Sequence, residues 1–215
     1  MPKTLKWLEM RVRKLMPQPV RTAYRIARSL KHVEVAQPLP PELVDGARLS
    51  PSRLHLLDLM PKRGKVAELG TLRGDFARCI FSRTEPAELH LVDIDYTEFD
   101  ETGLPAPQVS RHVGFTHDVI ASFPNSYFDW IYIDADHSYE GCLRDAHISA
   151  DKIRPGGYMV FNDFAHIDPY LGRYGVKRAA MDFMHERRWP IAFLALDAYG
   201  LYDIALRKPD VDNDP

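Results

Sequence analysis

Between Lys65 and Lys208 the chain switches repeatedly between two hydrophobic periods, and this alternation limits its fold more than any other feature. Short apolar runs span Lys65 to Leu69, Glu88 to Asp95, Phe128 to Asp136 and Gly156 to Asp163, with a weaker one at Val109 to Phe115. Helix-patterned stretches stand between them: Gly74 to Arg83, Tyr139 to Ile153 and Gly175 to Arg188. Strands joined through helices of this length imply right-handed crossovers and a parallel sheet covered on both faces. The last two runs, Pro190 to Asp197 and Leu201 to Lys208, have only Ala198, Tyr199 and Gly200 between them. That is too short for a crossover, so they must form an antiparallel hairpin. The expected fold is α/β: a doubly wound, Rossmann-like, seven-strand sheet with a C-terminal antiparallel hairpin and a helical N-terminal extension.

With 215 residues, 45% of them hydrophobic, the chain can bury one full core. Prolines 38, 40 and 41 mark a linker. The expected organisation is a basic helical extension and linker over 1–45, the main domain over 46–208 and an acidic tail over 209–215. Ser50 and Pro51 suit the start of a short helix running to Met60. From Met1 to Ala36 nine Lys/Arg stand against Glu9 and Glu34. This segment fits two readings, a helical cover packed on the domain or a peripheral anchor on anionic lipid. It has no long apolar core and is neither a signal peptide nor a transmembrane span. The net charge of -2 argues against a nucleic-acid partner. Cys79 and Cys142 belong to no CxxC or Cys/His cluster, so a disulfide framework and a thiolate zinc site are disfavoured and a reducing cytoplasm is expected.

The turn after the first long run reads Gly70-Thr71-Leu72-Arg73-Gly74. It lacks the GxGxxG spacing that brings a helix N-terminus against a pyrophosphate. Asp93, about 20 residues further on at the end of the next run, suits a ribose diol. Together they point to a nucleoside without phosphates, and the glycine spacing and terminal hairpin disfavour a nicotinamide dehydrogenase.

The stretches "VAELGTLRGDFA", "LHLVDID", "THDV", "FDWIYIDADHSYEGCLRDAHISADKIRPGGYMVFNDF" and "GVKRAAMDF", in this order over about residues 60 to 205, resemble the class I S-adenosylmethionine-dependent methyltransferases. The likeness is nearest to the macrocin O-methyltransferase branch and more distant to catechol O-methyltransferase. It implies that Gly70, Thr71 and Gly74 wrap the methionine part of S-adenosylmethionine. Glu68 orients that loop or the amino group, Asp93 accepts from the ribose hydroxyls, and Asp118 meets the adenine amino group. The alternatives are that Glu68 merely caps a neighbouring turn and that Asp118 begins a helix.

For the chemistry, the resemblance implies a divalent cation held by Asp134, Asn162 and Asp163. Two carboxylates and an amide oxygen favour Mg²⁺. Asn162 departs from the macrocin pattern, which usually has an acid there, and the alternative is that Asn162 and Asp163 only organise a loop. His137 matches the family's catalytic histidine and Asp136 an aspartate with that task in other members; a ring pKa of about 6.5 favours His137. His166, Asp168, Tyr170, Arg173 and Tyr174 fit either an acceptor pocket or simple packing. The expected activity is methyl transfer to a hydroxyl of a sugar, polyol or phenol, by a homodimer if it follows its relatives. The alternatives are a metal-independent transferase on another acceptor and a cofactor-binding scaffold without turnover.

Overall fold

The computed structural model describes residues 37–168, 172–197 and 200–210, with four isolated positions before them. The expectations for the basic segment, for Tyr170 and for most of the acidic tail lie outside these residues. The strands are β1 (Arg48–Ser50), β2 (Lys65–Leu69), β3 (Glu88–Asp93), β4 (Val109–Val113), β5 (Phe128–Ile133), β6 (Ile153–Phe161), β7 (Ile167–Asp168), β8 (Gly172–Arg173), β9 (Ile191–Asp197) and β10 (Gly200–Arg207). The helices are α1 (Arg53–Leu59), α2 (Asp75–Thr84), α3 (Thr116–Ala121), α4 (Tyr139–Lys152) and α5 (Val176–Arg187). No helix among the described residues is long and apolar enough to cross a membrane.

The main sheet runs β1-β9-β10-β6-β5-β2-β3-β4, with β10 antiparallel to both neighbours and all other pairs parallel. From β2 the chain winds outward through β3 to β4, then returns to β5 on the other side and continues to β6. The order therefore reverses between β2 and β5. In an open α/β sheet the crevice at such a reversal, beyond the carboxyl ends of the strands, is where ligands sit.

Burial on both sides follows the strand period of two. In β5, Ile131 and Ile133 face the layer of α3, α4 and α5, whereas Trp130 and Tyr132 face α1 and α2. Helix ends follow the local chemistry. Ser138 caps α4 by accepting the Gly141 N–H, and Glu140 and Lys152 sit at the ends where the helix dipole favours their charges. The seven expected strands and the hairpin are all present.

Two expectations need correction. The sheet has an eighth strand, β1, which pairs in parallel with β9. Three residues with Arg48 and Leu49 exposed display no alternation, so their pairing comes from the edge of β9. The N-cap of α1 is Ser52, whose side chain accepts from His55 N–H at 3.1 Å, because Ser50 is taken up by β1.

Candidate active site

The loop after β2 is shaped by its glycines. Gly70 and Gly74 have φ of +86° and +80°. A Cβ on Gly70 would lie 2.2 Å from the Asp134 carbonyl oxygen, so only glycine lets this loop run against the end of β5. On the other side, Asp93 at the end of β3 accepts the backbone N–H groups of Thr71 and Leu72 through Oδ2 (2.9 and 2.8 Å). The Asp95 N–H reaches Oδ1 at 3.2 Å. Acceptor capacity remains on this carboxylate, which has about four lone-pair sites.

The crevice floor is acidic and buried. Burial pushes the Glu68 carboxyl well above the usual carboxylate range, and the nearby Asp134 adds to the shift. Glu68 Oε2 and Thr71 Oγ1 are buried without a hydrogen-bond partner. Ile94 and Leu72, 64% and 66% exposed, and Phe115 at the start of α3 stand at the carboxyl ends around Asp93. Sequence reasoning missed these three. The signal was an apolar residue directly after the acid, with no strand face to bury it. Orphaned polar atoms, a carboxylate for a diol, apolar side chains for a flat base and acids for a positive charge together fit S-adenosylmethionine.

Across the Gly70 contact lies a second constellation. Asp134 follows β5, and Asn162 and Asp163 follow β6. His137 Nε2 is 3.2 Å from Asp134 Oδ1 and 3.2 Å from Asp163 Oδ2. Burial alone would lower the His137 pKa, but the two carboxylates more than offset it and hold the ring up at about 9. Burial raises Asp163 while His137 pulls it down, and its carboxyl rests below the ordinary value. One ligand atom each from Asp134, His137 and Asp163 lies within 4.8 Å of the others, a set that fits a divalent cation.

Not every expected residue joins this cluster. Asn162 turns its Nδ2 to Asp134 Oδ1 at 2.6 Å, with its oxygen facing Tyr132. Asp136 accepts the Ser138 N–H and lies over Gly141 in the first turn of α4, outside the cluster. Asp118 sits in the first turn of α3 with its side chain 72% exposed, 3.6 Å from His117. Beside His137, the Tyr174 ring stacks at 4.5 Å between centroids, and the His166 ring lies 5.5 Å from Tyr174.

Residues 67–164 match a family described as a methyltransferase domain. No curated protein matches the chain significantly. Among solved structures, it resembles an O-methyltransferase from Bacillus cereus in complex with SAH, at 16% identity and a TM-score of 0.56 over 90% of this chain and 93% of that one. It also resembles the N-methyltransferase NodS from Bradyrhizobium japonicum, at 14% identity and a TM-score of 0.55 over 73% and 93% of the two chains. A geranyl diphosphate methyltransferase in complex with GPP and sinefungin matches at 11% identity and a TM-score of 0.56, over 72% and 76%. At these identities the likeness is one of fold.

Proposed function

We propose that the chain, whose residues 67–164 match a family described as a methyltransferase domain, is an S-adenosylmethionine-dependent enzyme that methylates a hydroxyl oxygen of a small molecule. The acceptor class is a sugar, polyol or phenol, as in the macrocin branch, and the transfer is cation-assisted. The observation that carries this reading is the Asp134–His137–Asp163 cluster, which faces the cofactor loop across the Gly70 contact.

The chain's residues divide the work. Asp93 binds the ribose, Ile94 and Phe115 flank the adenine, the buried Glu68 carboxyl offers a hydrogen bond beside the loop, and the Asp134 carboxylate favours a sulfonium nearby. Asp134 and Asp163 hold the cation, Mg²⁺ or a similar ion, which when bound supplies Lewis acidity that lowers the pKa of an acceptor hydroxyl. The tyrosine and histidine rings of Tyr174 and His166 give the acceptor a wall to stack on. As the acceptor oxygen forms its bond to the methyl carbon, the carbon–sulfur bond breaks and S-adenosylhomocysteine leaves. The hydroxyl proton passes to His137 Nε2, which must be neutral to take it.

That requirement has a measurable sign. With Asp134 and Asp163 free of a cation the ring is held at about 9 and is protonated at pH 7, whereas a cation on those carboxylates would relieve the shift, so the rise of turnover from pH 7 towards 9 should be steeper without Mg²⁺ than with it. The test incubates the protein with methyl-labelled S-adenosylmethionine and a panel of sugars, glycosides, catechols, amines and thiols across this pH range, with and without Mg²⁺. Labelled ether that increases with pH and with Mg²⁺ is the expected result. Label transferred only to nitrogen or sulfur acceptors would refute the reading.

A further inference from the structure

The family match begins at residue 67, yet the polar groups beneath the candidate site reach back to α1. Arg53 lies over the Phe76 ring, its guanidinium carbon 3.9 Å from the centroid. From there it donates through Nη2 to the Tyr132 hydroxyl, and its Nε stands 3.6 Å from Asp203 Oδ2. The Tyr132 hydroxyl is 2.9 Å from Asp203 Oδ2 and 3.3 Å from Asn162 Oδ1. Asn162 closes the path with its 2.6 Å bond from Nδ2 to Asp134 Oδ1. Tyr132 and Asp203 are fully buried, so water does not compete for the bond between them at the centre of the path.

Chemistry fixes which way the Asn162 amide points. A carboxylate only accepts, so the amide atom facing Asp134 must be the NH₂ group. The carbonyl oxygen is then left towards Tyr132, whose hydroxyl shares its single proton between Asn162 Oδ1 at 3.3 Å and the nearer Asp203 Oδ2 at 2.9 Å. Asp134 already favours this orientation, and the Tyr132 hydroxyl reinforces it from the other side by a contact that a flipped amide would lose.

We propose that Arg53 is a positioning residue: through Tyr132 it holds Asn162 with its nitrogen on Asp134, and so fixes the Asp134 carboxylate for the cation and for His137. Asn162 then serves as a donor that steadies a ligand, and its oxygen is not itself a ligand. The proposal rests on the reading that Asp134 and Asp163 bind a cation.

The experiment uses the full chain with Mn²⁺ as the probe, followed by electron paramagnetic resonance, and S-adenosylhomocysteine binding by calorimetry as the control. Partners that orient a metal ligand are worth roughly 10- to 100-fold in metal affinity. Arg53→Met and Tyr132→Phe should each weaken Mn²⁺ by about that factor and leave S-adenosylhomocysteine binding within about twofold. In an Asn162→Asp background, where a carboxylate has no orientation to choose, adding Tyr132→Phe should have far less effect. Unchanged Mn²⁺ affinity in both single variants would overturn the proposal, as would an equal loss of both ligands, which marks general unfolding. If the wild type takes up no Mn²⁺, the cation reading fails by itself. The positioning role is then decided by nuclear magnetic resonance of the Asn162 side-chain amide. In Tyr132→Phe the amide loses the partner of its oxygen and should turn away from Asp134 more often, so its protons should exchange faster than in the wild type, by about tenfold for one hydrogen bond lost. Equal exchange would refute it.

Discussion

A single backbone approach at Gly70 joins the two halves of the candidate site. Gly70→Ala should destabilise the fold by about 1–3 kcal/mol, because a positive φ and a contact at 2.2 Å act together. Gly103 provides the control, since its φ is +79° but the nearest atom to an added Cβ is 3.7 Å away. Urea unfolding should show a clearly larger loss for Gly70→Ala than for Gly103→Ala. Equal losses would mean that the close approach is immaterial. The glycine pair and Asp93 could be read from the sequence because each follows an apolar run at a fixed offset. Arg53 could not, since nothing in one sequence links it to a tyrosine 79 positions away. Nor could the Asn162 orientation, which is set by a neighbour from another strand. The separation of His137 from Asp136 was equally hidden, because it depends on where β5 stops and how the chain turns into α4.

Among the elements, β3 and β4 carry a histidine pair at the far side of the sheet, His90 buried and His112 half-buried. His90 Nδ1 and His112 Nε2 are 3.0 Å apart, packed among Phe123, Tyr127 and Phe128. One ring must donate and the other accept, so double protonation would oppose two donors. Burial lowers the pKa of both, most directly for His90, and for His112 the charge of its neighbour adds to the effect. With folded values below the unfolded value of about 6.5, the pair's stabilisation is present above that pH and is lost as pH falls below it. Asp203, raised by burial to about 7, works in the opposite sense over the same range, so the informative quantity is a difference. Urea midpoints from pH 7 to 5 should fall less steeply for His112→Asn than for the wild type. Identical slopes would remove the pair from the pH response. At this scale the long elements were legible because their periods are unambiguous. β1 was not, for its three residues take their conformation from the edge they join, and the α1 cap moved by two positions as a result.

At the level of the molecule, the crossovers bring residues from the ends of β2, β3, β5 and β6 to one crevice, which is why a linear alternation of periods was enough to foresee the site's location. A ligand bound only by this assembled state raises its stability by mass action, about 2.7 kcal/mol at a hundredfold excess over Kd. S-adenosylhomocysteine should therefore raise Tm, and NAD should not. A shift with NAD and none with S-adenosylhomocysteine would contradict the nucleoside reading. The packing of α1 has a practical corollary for anyone cutting the gene. Leu56, Leu57 and Met60 are buried against the same layer as Trp130 and Tyr132, although all three precede the start of the family match at residue 67. A fragment trimmed to that match would uncover a whole apolar flank and strip the arginine from two buried polar partners. The unit that folds is thus larger than the unit that homology outlines, and expression boundaries belong before Leu43, whose side chain already lies in the core.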